Sequence, residues 1–310
     1  MSRIETEIET FVQAQVKLKS AGLEVKVIDE FGFIICGNDQ SQRIDILITG
    51  LMHGNEVIGV EVINQIIAHF IQNPQITINL GLLLCHPEAA RRNVRYIESD
   101  LNRSFSVANK NTLEHHRAAQ IAKIVDQTDF VFDLHQTIEP SLNPFLVMEH
   151  RHELIQIADQ LLSQFPIVTF GSEGFSVVGK TMLEYSYLVG TKAIVIEIGQ
   201  KGFNQELATQ VTVGCIDLIK ALAQFEIKKS KNISVLHLET SISSMGNTQL
   251  VPGLVSYQKI KRGQVLAHQG EIEIKSPFDG RLVFPSYGEK SHSNYELCNL
   301  GKLINYTDVN

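Results

Sequence analysis

The residue pattern predicts an α/β fold: a mixed, mostly parallel sheet with helices on both faces, followed by a small C-terminal all-β, barrel-like domain. Three observations carry this. Short apolar runs alternate with helical patterns over about the first 225 residues, as in α/β domains. The runs are nearly continuous in Val, Ile, Leu and Phe, which suits strands covered on both sides. After the basic stretch Lys228, Lys229, Lys231 the segments become short and are punctuated by Gly and Pro.

The strand candidates, in order, are 24–28, 43–49, 78–85, 130–134, 144–148, 167–170 and 193–198. Each is a short β-branched and aliphatic run. Between them, 56–72, 112–127, 153–164 and 203–225 show the broad apolar stripe of a helix lying on a sheet. From Ile233 onward the sequence VPGLVSYQKIKRGQVLAHQGEIEIKSPFDGRLVFP reads as short strands, with Asp279-Gly280 as a hairpin signal. The organisation is therefore an α/β unit over 1–230 and a small β unit over 231–310. The spacing of Gly263, Gly270, Pro277 and Gly280 resembles a lipoyl/biotinyl-type barrel. The Met-Lys hairpin that such carriers modify is missing, so the unit reads as structural or as a lid.

Composition excludes several classes. The chain has 310 residues, 44% of them apolar and 20% charged, which supports a real core and not disorder. A net charge of −7 argues against nucleic acid or an anionic membrane as the main partner. No apolar run approaches the roughly 20 residues of a membrane helix. The start, MSRIETEIETF, is acidic and lacks the apolar stretch of a secretory signal, so the expected location is the cytoplasm. Cys36, Cys85, Cys215 and Cys298 are scattered and form no CxxC pair. They read as small buried apolar residues, with no disulfide framework or thiolate zinc site.

Four motifs carry chemistry. In ITGLMHGNEVIGVE, His53 and Glu56 follow a strand and a Gly-bearing turn, at the expected start of a helix. An imidazole and a carboxylate on one side of a first helical turn form a ligand pair that zinc accepts. In DFVFDLHQT, strand alternation puts Asp133 and His135 on one face and Phe132 and Leu134 on the other. His135 is a third candidate ligand and Asp133 a candidate carboxylate behind it. In RYIESDLNRSF, Arg95, Asn102 and Arg103 offer donors suited to a carboxylate or an oxyanion, while Tyr96, Ile97 and Phe105 suggest a loop packed down on the body. In AIVIEIGQKG, Glu197 interrupts an apolar strand near its end; a buried carboxylate needs a partner or a task. All four lie at or just beyond the carboxyl ends of expected strands, where open α/β sheets bind ligands.

GLMHGNE, RYIESDLNR, DLHQT and IEIGQKG, in that order, resemble the succinylglutamate desuccinylase/aspartoacylase family of zinc-dependent deacylases, relatives of the zinc carboxypeptidases. The resemblance covers most of residues 40–205 and extends to LEHHRAAQI before the DLHQT strand. It implies one Zn2+ per chain held by His53, Glu56 and His135. It also implies Glu197 as general base and then general acid, Arg95 polarising the scissile carbonyl, and Asn102 and Arg103 holding a substrate carboxylate. His115 and His116 match no family ligand and read as helix-surface residues; His86 reads as part of a structural turn. In aspartoacylases an arginine about ten residues before the catalytic glutamate binds the substrate. That place falls near Tyr187 here, with Lys180 or Lys192 as alternatives. Tyr287 or Tyr295 would be the family's substrate-gripping tyrosine.

The function implied is hydrolysis of the amide of an N-acyl amino acid or similar small amide, by water activated at zinc with Glu197 as base. Two alternatives stand beside it: a zinc carboxypeptidase acting on peptides, and a non-catalytic metal-bearing binding module. The expected partner is a small acyl-amino acid, and exposed β-edges in the C-terminal unit are compatible with a homo-oligomer.

Overall fold

The computed structural model describes residues 1–38, 43–105, 111–171, 180–224, 230, 232–244, 247–287 and 296–307. The chain opens with α1 (Arg3–Ser20), which buries Ile8, Phe11, Ala14 and Leu18 along one stripe. Phe11 stacks on Phe33 with ring centroids 5.0 Å apart. The hairpin β1 (Val25–Asp29) and β2 (Gly32–Ile35) follows, then β3 (Ile44–Gly50), α2 (Ile58–Gln72), β4 (Leu80–Leu84) and the short α3 (Pro87–Arg91). Next come α4 (Leu113–Val125), β5 (Thr128–Thr137), β6 (Phe145–Glu149), α5 (His152–Leu161), β7 (Ile167–Phe170), α6 (Met182–Leu188), β8 (Lys192–Gln200) and α7 (Gln205–Ala223). Every sequence-derived strand and helix of this stretch is present within a few residues of its expected place. α1, β2, α3 and α6 have no counterpart among the sequence-derived elements.

The strands β9 (Asn232–Ser243), β10 (Thr248–Leu250), β11 (Gln258–Ile260), β12 (Val265–Gln269), β13 (Ile272–Lys275), β14 (Gly280–Val283) and β15 (Glu296–Thr307) complete the chain. The twelve-stranded sheet has the order β1-β2-β4-β3-β5-β8-β6-β7-β9-β15-β14-β11, and β10-β12-β13 form a second sheet. From β9 on, every described regular element is a strand. Yet β9 pairs in parallel with β7, so the C-terminal strands continue the large sheet. They also have a core of their own around Ile242, Ile260, Leu266 and Leu282.

The expectation of a mostly parallel sheet is corrected. The pairs β3–β4, β3–β5, β5–β8, β6–β7 and β7–β9 are parallel, but β1–β2, β2–β4, β6–β8, β9–β15, β14–β15 and β11–β14 are antiparallel. The physical reason at the centre is loop length: the connection 138–144 is too short for the crossover that a parallel pair needs. β6 therefore starts at the edge where β5 and β8 end.

Helices do cover both faces. One core joins residues of α1, α2, α5 and α7 to Ile46, Ile48, Phe130, Phe132, Leu134, Ile194 and Ile196. The other joins α4 and α6 to Leu47, Val131, Phe145, Val147 and Val195. Alternation along β3, β5 and β8 then places Thr49, Asp133, His135 and Glu197 on the α4–α6 side, at the carboxyl edge.

Candidate active site

His53 and Glu56 precede α2 instead of occupying its first turn: the helix begins at Ile58. The chain leaves β3 through Leu51 in a left-handed conformation (φ 58°). It then runs so close to α3 that a Cβ on Gly54 would lie 2.3 Å from the Ala89 carbonyl carbon. This tight turn aims both side chains inward. Gln136 caps the helix, its Oε1 accepting from the Ile58 N–H at 3.0 Å.

Three groups converge. His53 Nδ1 lies 2.7 Å from Glu56 Oε1, and His135 Nδ1 lies 2.9 Å from Glu56 Oε2. The two imidazole rings meet edge-to-face with centroids 5.1 Å apart. All three residues are buried, and their ligand atoms lie within 4.8 Å of one another. Among the described residues this is the one group of three such side chains that could hold a metal ion.

Behind each imidazole stands a carboxylate. His135 Nε2 is 2.7 Å from Asp133 Oδ2, and His53 Nε2 is 3.2 Å from Asp100 Oδ1. Thr49 Oγ1 donates to the other Asp133 oxygen at 2.7 Å. A carboxylate on the far nitrogen, as at His135, fixes the tautomer and leaves Nδ1 free to coordinate; at His53 the Arg95 Nη2 also approaches Nε2, to 2.7 Å. Two inward nitrogens, one inward carboxylate and two buttressing carboxylates form a donor set that fits a divalent cation of the zinc type. The electrostatics agree. Burial opposes charge on Glu56, but His53 and His135 outweigh it and hold its carboxyl well below the usual range. Burial likewise opposes a proton on His135, and Asp133 and Glu56 overcome it, raising that pKa well above normal.

Glu197 sits on β8 directly across from His135. It is 7% exposed, and its Oε2 has no hydrogen-bond partner. Burial, against the attraction of His135, pushes its carboxyl up to about 8. A group that exchanges a proton near neutral pH beside a candidate metal cradle has the properties of an acid–base catalyst.

The loop after α3 supplies cations. Arg95 Nε donates to Asp100 Oδ2 at 3.1 Å and Nη1 to Glu56 Oε1 at 3.1 Å. Asp100 also caps the turn Leu101–Arg103 by accepting from the Asn102 N–H at 2.9 Å. Burial opposes its charge, yet Arg95 and His53 keep its carboxyl well below the usual range. Sequence reasoning gave Asp100 no role; its signal was a carboxylate two residues before the Asn-Arg pair. Asn102 is buried and its Oδ1 accepts from the Met182 N–H at 2.9 Å, which leaves its amide N–H groups as donors. Arg103 Nη1 donates to the Asn102 carbonyl at 2.8 Å.

This loop is packed down, as expected, through buried Leu101 and Phe105, although Tyr96 is exposed. The unexpected anchor is Glu114 of α4. Its fully buried carboxylate accepts from the N–H groups of Ile97, Glu98 and Ser99 at 2.7, 3.1 and 3.0 Å and meets His86 Nε2 at 3.1 Å. His86 precedes α3 as its cap residue. His116 is exposed, but His115 is buried against Thr112 and Ser99, which corrects its reading as a surface residue.

The remaining family positions separate. Tyr187 lies away from the site: its hydroxyl donates to Ala193 O at 2.6 Å and accepts from Glu149 N–H at 3.0 Å. Ala193 is near the start of β8, about 13 Å along the strand from Glu197. Lys192 is at that same end, paired with Glu153 at 2.5 Å. Lys180 is instead bridged through its backbone to Phe105, beside the Asn102–Arg103 turn. The Tyr287 hydroxyl is held between Val251 O and Leu254 N–H at 2.9 and 2.6 Å. Tyr295 lies outside the described residues.

A mixed sheet covered by helices on both faces, with a buried His-Glu-His group at its carboxyl edge, defines an α/β protein with a candidate metal site, and comparison with known proteins narrows this. Residues 42–222 match the model of the succinylglutamate desuccinylase/aspartoacylase catalytic domain. The chain belongs to that family. It is 25% identical to the succinylglutamate desuccinylase of Ectopseudomonas mendocina, with 88% of each chain covered. It is 30% identical to the N-acyl-aromatic-L-amino acid amidohydrolase (carboxylate-forming) of Xenopus tropicalis over 37% of this chain and 41% of that one. The fold matches succinylglutamate desuccinylase from Vibrio parahaemolyticus with a TM-score of 0.74 at 17% identity, covering 94% of this chain and 98% of that one. It also matches murine aminoacylase 3 with a TM-score of 0.64 at 16% identity, covering 87% and 98%. Among the described residues no helix is long and apolar enough to cross a membrane.

Proposed function

We propose that the chain is a zinc-dependent amidohydrolase that releases a carboxylic acid from an N-acyl amino acid or similar small amide. The observation that supports this most is the placement of unpartnered Glu197 one strand from His135, at the edge where His53 and Glu56 converge. His53, Glu56 and His135 would hold one Zn2+. Zinc so held supplies Lewis acidity toward the substrate carbonyl and makes water a nucleophile near neutral pH.

This chain's residues do the rest. Glu197 takes a proton from the attacking water on its carboxylate and later passes it to the leaving nitrogen. Arg95 turns its guanidinium N–H groups to the carbonyl oxygen, where negative charge grows. Asn102 and Arg103 bind a substrate carboxylate and so fix the amide against Glu197. Lys180 is the lysine placed beside that turn, and we assign it, not Lys192, as the further cation of the substrate pocket. We also propose a catalytic unit over 1–230 with a β unit over 231–310, and the cytoplasm as the compartment.

The test is amine release by zinc-loaded protein from N-acetyl and N-succinyl amino acids and short peptides, with a chelator-treated control. Metal-dependent release from an acyl-amino acid is expected. Release from peptides alone makes the enzyme a carboxypeptidase. Silence across the panel with zinc bound overturns the deacylase reading in favour of a binding role.

A further inference from the structure

A second pair of histidines lies at the opposite edge of the same sheet. β6 runs antiparallel to β8, with Phe145 beside Glu197, so β6 ends where β8 begins. His150 directly follows β6, Thr169 is in β7, and His237 is in β9 beside Thr169. His150 Nδ1 lies 3.0 Å from Thr169 Oγ1, and His237 Nδ1 lies 3.1 Å from the same oxygen. The rings meet edge-to-face with centroids 5.0 Å apart and planes at 78°. The values for His53 and His135 are 5.1 Å and 69°.

That spacing has a physical meaning. Two imidazoles on one tetrahedral zinc, each with Zn–N of about 2.0–2.1 Å, bring their ring centroids to about 5 Å. Edge-to-face packing alone also gives about 5 Å; what adds to it here is that both Nδ1 atoms face one oxygen. Both rings are half-buried, so an ion can reach them from solvent. Burial and the neighbouring His237 lower the pKa of His150. His152 and Tyr306 extend the cluster: they are hydrogen-bonded to each other, and the Tyr306 ring lies 5.9 Å from that of His150. The nearby Glu149 carboxylate is matched by Arg151 Nε at 2.6 Å. The donor set is thus imidazole and hydroxyl without a free carboxylate.

We propose that His150 and His237 form a second metal site, for an imidazole-preferring divalent ion such as Zn2+, Ni2+ or Cu2+. Thr169 holds the two rings in register. Lacking an anionic ligand, the site binds more weakly than the His53–Glu56–His135 group. It ties β6, β7 and β9 together where the catalytic sheet passes into the C-terminal strands, so occupancy raises thermal stability.

Zinc binding to metal-stripped protein, followed by calorimetry and by metal analysis after dialysis, tests this. Wild type should take two equivalents of unequal affinity. In His237→Gln and in His150→Gln the weaker equivalent should lose at least about tenfold in affinity while the tighter one stays. In Glu56→Gln only the tighter equivalent should weaken. Cu2+ added to the His53→Gln/His135→Gln double variant should show the paramagnetic-resonance hyperfine pattern of two imidazole nitrogens, lost when His237→Gln is added to it. If His237→Gln misfolds, His150→Gln carries the same test. One equivalent at saturation in wild type overturns the proposal. So does a second equivalent unaffected by both histidine variants, or one removed by His116→Gln, which alters an exposed histidine outside this cluster.

Discussion

The two histidine pairs share a ring geometry and differ in charge. Between His53 and His135 stands the Glu56 carboxylate, with Asp100 and Asp133 behind the rings. Between His150 and His237 stands, among the described residues, the Thr169 hydroxyl. Imidazole spacing alone therefore does not make a catalytic centre. What distinguishes the carboxyl edge of β3, β5 and β8 is concentrated negative charge that a cation must balance, and a fourth carboxylate, Glu197, left unpartnered. The opposite edge also has a buried carboxylate next to its pair, Glu149, but Arg151 Nε stands 2.6 Å from that carboxylate and matches its charge. Its histidines can bind, on this reading, beside a carboxylate held in an ion pair.

The largest effect expected from breaking this contrast is on rate. Glu197→Gln keeps the shape and burial of the side chain and removes its capacity to take a proton. Turnover of the best substrate from the amide panel should fall at least roughly a hundredfold. The tight zinc equivalent should remain, because Glu197 is not among the converging ligands. A variant with near-normal turnover would remove Glu197 from the mechanism and leave the two edges chemically alike.

Much of the contrast was legible in sequence. Asp133 and His135 share a face because strand side chains alternate, and Glu197 stands out as a carboxylate within AIVIEIG. What stayed hidden depended on tertiary placement. In sequence Glu114 is only part of a helix pattern, yet its carboxylate holds three loop amides. His115 looked like a surface residue because its burial comes from Ser99 in another segment. The direction of β6 was readable from the short 138–144 connection, but near-continuous apolar strands led to a mostly parallel sheet. His150 and His237 carry no local motif: 87 positions apart in sequence, they meet only because β6, β7 and β9 are neighbours.

A smaller effect sharpens the role of the buttressing carboxylates. Asp133→Asn leaves a hydrogen-bond acceptor near His135 Nε2 but removes the charge that makes the ring a better ligand. Affinity for the tight zinc equivalent should drop about 10- to 100-fold, read by competition with a zinc chelator. The weaker equivalent, with no carboxylate behind its rings, should be unchanged. Equal loss at both sites would mean that the variant disturbs the sheet as a whole.

Per pH unit the smallest effect is on stability, and it follows from Glu197 burial. Its pKa rises from an ordinary value of 4.5 to about 8 in the folded chain. Folding therefore favours the protonated form, and the stability this contributes is complete below about 4.5 and lost as pH climbs through about 8. Across that window metal-free wild type should lose up to about 1.4 kcal/mol per pH unit relative to Glu197→Gln, measured by urea unfolding with chelator present. A divalent cation at the His53–Glu56–His135 group favours the charged carboxylate and should flatten the slope. No such cation effect should follow from filling the His150–His237 pair, which lies at the other edge of the sheet. A slope that is absent in metal-free protein would mean that Glu197 is already solvated or paired, and the acid–base distinction between the two edges would fall with it.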